Sequence, residues 1–418
     1  MKRSILILTF AIAGLLLAGC NKAGRPSDDS RLSAEDQAMK ALVEQYVPGV
    51  IYSIYGKLAD ETESLHTLLQ DLKAKAKAGT LTDADLAKAQ ESFYAARQWW
   101  EKSEAFLYGA ATVYKIDPHI DSWPLDKTAL AKNLQNKAVV EDLDAQEGGA
   151  IGLVGADALG FHGIEFILFR DGAIRKASDF LGTDRIAGYT IDGVSELVFA
   201  TAVADDLMGY CFELQAAWDP SDYPYGDATR RAYVEEELEL PTAMDGNGMT
   251  FGENLLATAT LGSTYRAWTV AVNAILVAGC SNICNEVANT KLATAHGAEV
   301  ADEDDVDADY NYIESPYSKR SFHDFKDNLL SIQYTLYGGN GADAPTGKTL
   351  MGFLGDFGYS GAKQLDDSLK AAIASMDACI AVGSFVDNRN DASVDKAIET
   401  INALDAELNK AAAWVMSL

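Results

Sequence analysis

A chain of 418 residues that is 48% hydrophobic and carries a formal charge of −28 is long enough for two domains of ordinary size, each with an apolar core. An acidic excess this strong repels a polyphosphate and tolerates or attracts cations, which excludes nucleic acid as a partner and favours metal ions. Five cysteines are too few for a disulfide scaffold in a chain with this much core.

At the amino terminus, Lys2 and Arg3 precede the apolar run from Ile5 to Leu17, which is short for a bilayer span. Leu17-Ala18-Gly19-Cys20 follows, small residues leading into a cysteine. This resembles a bacterial lipoprotein signal, so residues 1–19 are expected to be removed and Cys20 to carry lipid in a membrane leaflet. Loss of Lys2 and Arg3 takes the charge to −30. Residues 20–35, with Gly24, Pro26 and the Ser27-Asp28-Asp29-Ser30 cluster, read as a flexible tether. The implied location is the cell envelope, lipid-anchored to a bacterial membrane, in particular the outer membrane, facing either periplasm or exterior.

From residue 36 onward the periodicity is helical and no alternating strand pattern of useful length stands out. Thr82 or Asp83 can cap a helix running to about Tyr108. Val194, Leu197, Val198, Thr201, Ala204, Met208 and Cys211 recur at three- or four-residue spacing, one buried helical stripe. Prolines and glycines bunch at 219–226, 245–248 and 338–347, the expected loops. Ser360 can cap a helix to about Val382, and a last helix is expected near Ser393 to Met416. Cys280 and Cys284, one helical turn apart, read as small buried apolar side chains rather than a disulfide. The expected fold is all-α: two packed bundles of the four-helix type, over 36–240 and 241–418, with the break between Trp218 and Gly252. Leu107-Tyr108-Gly109 and Leu336-Tyr337-Gly338 end segments in matching register, which points to an internal duplication.

The chemistry concentrates in Gly160-Phe161-His162-Gly163-Ile164-Glu165. Residues three apart share a helix face, so His162 and Glu165 converge on one point. Such a pair can share a metal ion, share a proton, or satisfy one another inside a core. Phe166 follows Glu165, so the H-x-x-E-H arrangement of one zinc-peptidase class is broken and a third ligand must come from another helix. Glu104, Asp121, Asp126 and Asp327 are the available carboxylates. A set of His162, Glu165 and Glu104 would suit iron or zinc without distinguishing them. Arg97, two turns before Glu104, is placed to orient a carboxylate or an anionic ligand, with an ordinary ion pair as the plain alternative.

Ala95-Ala96-Arg97-Gln98-Trp99-Trp100-Glu101-Lys102-Ser103-Glu104, Ile116-Asp117-Pro118-His119-Ile120-Asp121-Ser122-Trp123-Pro124-Leu125-Asp126 and Gly160 to Phe169 follow one another in order. With Ser315-Pro316-Tyr317-Ser318 and Phe325-Lys326-Asp327-Asn328, they resemble the signature segments of imelysin-like proteins over about residue 36 to the carboxyl terminus. The resemblance implies two helical bundles related by duplication, a site where they meet, and export to the envelope. It also implies a role either in bacterial iron uptake, alongside iron-transport components, or as a metallopeptidase. It places Trp123, and with it Asp126, at the border of the site as ligand-binding positions beside Arg97 and Glu104.

Two other patterns are set aside. Ala342 with Gly347-Lys348-Thr349 is a loose phosphate-loop match, but such a loop needs a strand of an α/β sheet before it, so no nucleotide is expected. Asp305, Asp307 and Asp309 open like a calcium loop, yet Tyr310 stands where the turn glycine belongs. The leading expectation is an envelope lipoprotein that binds a metal ion, iron or zinc, or a metal-bearing ligand during iron acquisition. The competing expectation is a zinc metallopeptidase, in which Glu165 would be catalytic. A carbohydrate-binding or purely structural lipoprotein is the third.

Overall fold

The computed structural model describes residues 32–220, 226–302, 305, 308–339 and 348–418. The expected signal segment, Cys20 and most of the tether lie outside the described residues, as do Asp307 and nearly all of the loose phosphate-loop match. About 70% of the chain is helical, with two very small sheets among the described residues, so the all-α expectation holds.

The chain enters through a helix at Ala34–Tyr46, where the Ser33 side chain accepts from the Asp36 N–H. A π-helical turn at Val47–Tyr52, with Pro48 in its first turn, leads directly into the long Ser53–Lys77 helix. The following helix, Asp83–Glu101, starts where Thr82 and Asp85 satisfy one another's backbone N–H groups in a reciprocal cap. A cap of this kind contributes about 1 kcal/mol. The helix stops at Glu101 rather than continuing to Tyr108. Ser103 Oγ turns back to the Trp100 carbonyl at 2.7 Å, and a short 3₁₀ turn at Glu104–Phe106 follows, with the Ala105 N–H donating to Ser331 Oγ at 3.1 Å.

Gly193–Trp218 is the central helix of the amino-terminal half. Most of its residues are buried on all sides, as expected of a helix enclosed by its neighbours. It packs along Ser53–Lys77, which in turn packs along Asp83–Glu101. In the carboxyl-terminal half, Ser321–Tyr337, Ala362–Val382 and Ala392–Val415 pack together, and a helical run from Trp268 through Leu292, partly π-helical, lies against the last of them. That run is long and apolar enough to cross a membrane by length and composition, but more than half of its most apolar window is packed inside the protein. Cys280 and Cys284 lie within it, buried and unpaired.

Asp83–Glu101 and Ser321–Tyr337, which carry parts of the two segments 91–109 and 320–338 whose register matches in the sequence, lie against one another between the halves. One continuous apolar cluster extends from Met39 to Val415 through both.

Between Leu168 and Gly193 the chain makes two antiparallel hairpins that the sequence reading did not anticipate. Phe169–Arg170 pairs with Ala173–Ile174, and Thr183–Ile186 with Tyr189–Asp192. Asp171-Gly172 and Ala187-Gly188 form the two-residue turns, all four residues at positive φ. That is the turn geometry whose twist matches paired strands.

Candidate functional site

Gly160–Leu168 is a nine-residue helix, buried throughout, and it carries His162 and Glu165. Two glycines seat it. Gly160 has φ +67°, and a Cβ there would fall 2.1 Å from the Ile120 carbonyl oxygen. A Cβ on Gly163 would fall 2.3 Å from the Ala158 carbonyl oxygen. Only glycine allows this backbone conformation and this approach. The close seat brings the helix against the segment that presents Asp121.

Within the helix, His162 Nδ1 lies 3.2 Å from Glu165 Oε2. Glu165 Oε1 accepts from the Ser318 N–H at 2.7 Å and from Ser318 Oγ at 2.6 Å. Glu165 is thus an acceptor on both oxygens, so Nδ1 faces it as a donor while Nε2 points away. Nε2 lies 3.0 Å from Asp121 Oδ1 but without the alignment of a hydrogen bond. A ligand atom each from Asp121, His162 and Glu314 falls within 4.8 Å of the other two.

Arg97 stands behind this trio. It is fully buried and contacts four carboxylates. Nη1 bonds Asp121, Nη2 reaches Glu314 and Glu101 at 2.5 Å each, and Nε lies 3.5 Å from Asp324. Trp100 Nε1 donates to Asp121 Oδ2 at 2.9 Å, and Lys291 Nζ lies 2.8 Å from Glu314 Oε2 as an ion pair. Ser315 Oγ holds Asp324 Oδ2, and Asn328 donates to Glu101 Oε2 at 2.6 Å. Residues from both halves therefore close one buried polar cluster.

Burial and charge act against each other here. Burial alone would lower the pKa of His162, but Asp121 and Glu165 beside it raise it to about 9. Burial would raise Asp121, yet Arg97 and His162 hold it well below the usual carboxylate range. For Glu101 and Glu104, burial prevails and pushes both carboxyls well up. Lys291 is held well above its ordinary value despite burial, chiefly by Glu314 and Glu104.

The set that converges differs from the one expected from spacing. His162 belongs to it. Glu165 orients the imidazole instead of joining the converging atoms, the usual place of a carboxylate behind a metal-ligating histidine. Glu104 is buried on its 3₁₀ turn, outside the trio. Asp121 and Glu314 take the two acidic positions. Asp126 caps the Lys127–Gln135 helix through the Ala129 N–H at 2.8 Å. Arg97 is no surface ion pair. Glu314 was missed because no local spacing connects it to His162, although it directly precedes the Ser315-Pro316-Tyr317-Ser318 segment that the resemblance marked.

One imidazole and two carboxylates form a donor set that iron or zinc accepts. The buried Nε2, which makes no hydrogen bond, fits a metal ligand once a metal displaces its proton. Arg97 and Trp100 already occupy part of Asp121, and Arg97 and Lys291 part of Glu314, but a carboxylate has about four lone-pair sites, which leaves room for a metal on each. The trio would hold the metal, and Glu165 would fix the imidazole behind it.

A cleft of about 780 Å³ opens onto His162. Trp123 and Pro124 form part of its wall from one half, and Ile313, Pro316 and Tyr317 from the other. Trp123 Nε1 donates to the Ile313 carbonyl at 3.0 Å, joining the two walls.

The family model for imelysin, peptidase M75, matches residues 51–411. The chain belongs to the imelysin family. An iron-regulated protein A of Synechococcus elongatus is 28% identical over 127 residues, 30% of this chain and 31% of that protein, so the match spans about a third of the curated relative's length. A crystal structure from Parabacteroides distasonis, described as a candidate iron-regulated protein A precursor, superposes with a TM-score of 0.72 at 21% identity. It covers 92% of this chain and 96% of its own. An imelysin-like protein from Psychrobacter arcticum gives 0.58 at 12% identity, covering 93% and 97%. At these identities the two structures speak for the fold.

Proposed function

We propose that this imelysin-family chain captures a metal ion, or a ligand that carries one, at Asp121, His162 and Glu314, and that it serves iron acquisition from a lipid anchor at the cell envelope. The observation that carries this reading is the convergence of the three ligand atoms within 4.8 Å, one of them on His162, which also lines a cleft. The Synechococcus relative is named for regulation by iron, which favours iron among the metals this donor set accepts.

Hydrolysis draws less support from the same geometry. A metallopeptidase needs a carboxylate outside the ligand set to take a proton from water. Glu165 already accepts from Ser318 and faces the imidazole with its other oxygen. Metal analysis and titration calorimetry with ferrous, zinc and cobalt ions test the reading. Wild type is expected to take up one equivalent, Asp121→Asn and Glu314→Gln to lose it, and Glu165→Gln to bind on the order of 10–100-fold more weakly. Metal-dependent peptide cleavage that disappears in Glu165→Gln would favour the hydrolytic reading.

A further inference from the structure

We propose that the cleft leading to His162 takes an anionic chelate with aromatic donor groups, a catecholate-type metal complex, rather than a bare cation. The inference rests on the metal-capture reading above and names the form in which the metal arrives. Size is the first argument. A volume of about 780 Å³ is in the range of pockets that enclose whole organic ligands, roughly 300–1,000 Å³. A bare ion needs only its ligand atoms and a few waters.

Charge is the second argument. In a chain of net charge −28, the cleft is lined by Lys127, Arg170 and Arg185 against Asp171 and Asp302. A channel built to draw in free metal cations would follow the acidity of the rest of the chain. Arg170 is largely committed, with Nη1 on the Phe166 and Phe169 carbonyls, Nη2 on Asp184 at 3.0 Å and its guanidinium 4.0 Å over the Phe166 ring, so the burden of attraction falls on Arg185 and Lys127. Arg185 is exposed and donates to the Gly188 carbonyl at 3.0 Å, a neutral partner that leaves its charge uncompensated by that bond. Both arginines stand on the hairpins that follow the site helix.

Aromatic surface is the third. Trp123, Phe166, Tyr310 and Tyr317 line the same space. The Trp123 ring is fixed by its bond to Ile313 and by Tyr312, 4.0 Å away between centroids, and Phe166 meets Tyr317 edge to face at 4.8 Å. Fixed aromatic faces beside guanidinium groups suit planar, electron-rich, negatively charged rings. A polyhydroxy or citrate-type chelate would use the cations and gain nothing from the ring surface that remains open to the cleft.

The experiment is titration of the full mature chain with the ferric complex of 2,3-dihydroxybenzoate, with ferric citrate, and with 2,3-dihydroxybenzoate alone, followed by calorimetry and indole fluorescence. The catecholate complex is expected to bind at least about tenfold more tightly than ferric citrate. Arg185→Glu together with Lys127→Glu is expected to weaken it at least about tenfold, with the thermal midpoint checked to show an intact fold. Equal binding of the two ferric complexes, or no loss in the double variant, would overturn the proposal. If cobalt or zinc binds at Asp121, His162 and Glu314 while neither chelate does, this inference fails and the metal site stands. If the catecholate complex binds equally well to Asp121→Asn, the cleft assignment stands and the metal-site reading fails.

Discussion

Glu213 lends itself to a simple test, because neither of its oxygens finds a hydrogen-bond partner among the described residues although the residue is only 1% accessible. Burial pushes its carboxyl up to about 8. Between the ordinary value of 4.5 and about 8, the folded protein keeps this proton and the unfolded chain has lost it, so stability falls as pH rises through that window. Glu213→Gln is expected to match wild type near pH 4.5 and to melt several degrees higher at pH 8, measured by thermal scans across the range. Arg97 behaves in the opposite sense. Its guanidinium faces Asp121, Glu101, Glu314 and Asp324 together, and Arg97→Met would leave these four buried acids with only His162, Lys291 and Arg320 as nearby cations. A loss of about 3–5 kcal/mol in urea unfolding is expected. The sequence placed Arg97 near an acid but could not give its depth, since burial among four carboxylates depends on residues from distant parts of the chain.

At the scale of elements, the site helix is held in position by what its glycines lack. Gly160→Ala would bring a Cβ against Ile120 at a positive φ and push the helix away from Asp121. We expect a loss of at least about 1–2 kcal/mol from the backbone conformation alone and at least a tenfold loss of metal affinity by calorimetry. Gly155→Ala, where a Cβ meets nothing within 4 Å, is the control and should bind normally. Helical spacing made the facing of His162 and Glu165 legible because both lie on one turn. The same logic overran the end of Asp83–Glu101, where a serine turning back on the main chain outweighs the apolar periodicity. It also passed over the hairpins, whose strands are two to four residues long and offer too few positions for an alternation to register. Asp171-Gly172 was the available signal.

Across the whole molecule, the helical class followed from composition and period, while the meeting of the halves did not. Asp121 and Glu314 come from opposite halves, and so do the partners in the Glu101–Asn328 and Ala105–Ser331 bonds. One apolar cluster runs through both. Residues 36–240 and 241–418, expressed separately, would each expose this seam and leave charged groups without partners. Neither fragment is expected to show a cooperative thermal transition by circular dichroism, and their mixture should recover one. A sharp independent melt of either fragment would show that the seam is dispensable.

The thiols of Cys211, Cys280, Cys284 and Cys379 are all buried, and burial holds Cys280 up at about 12. None can meet an alkylating reagent until the surrounding helices part. Because these four sit in both halves, the order in which they acquire label under mild denaturant would time the opening of each region, with no probe introduced and no side chain replaced.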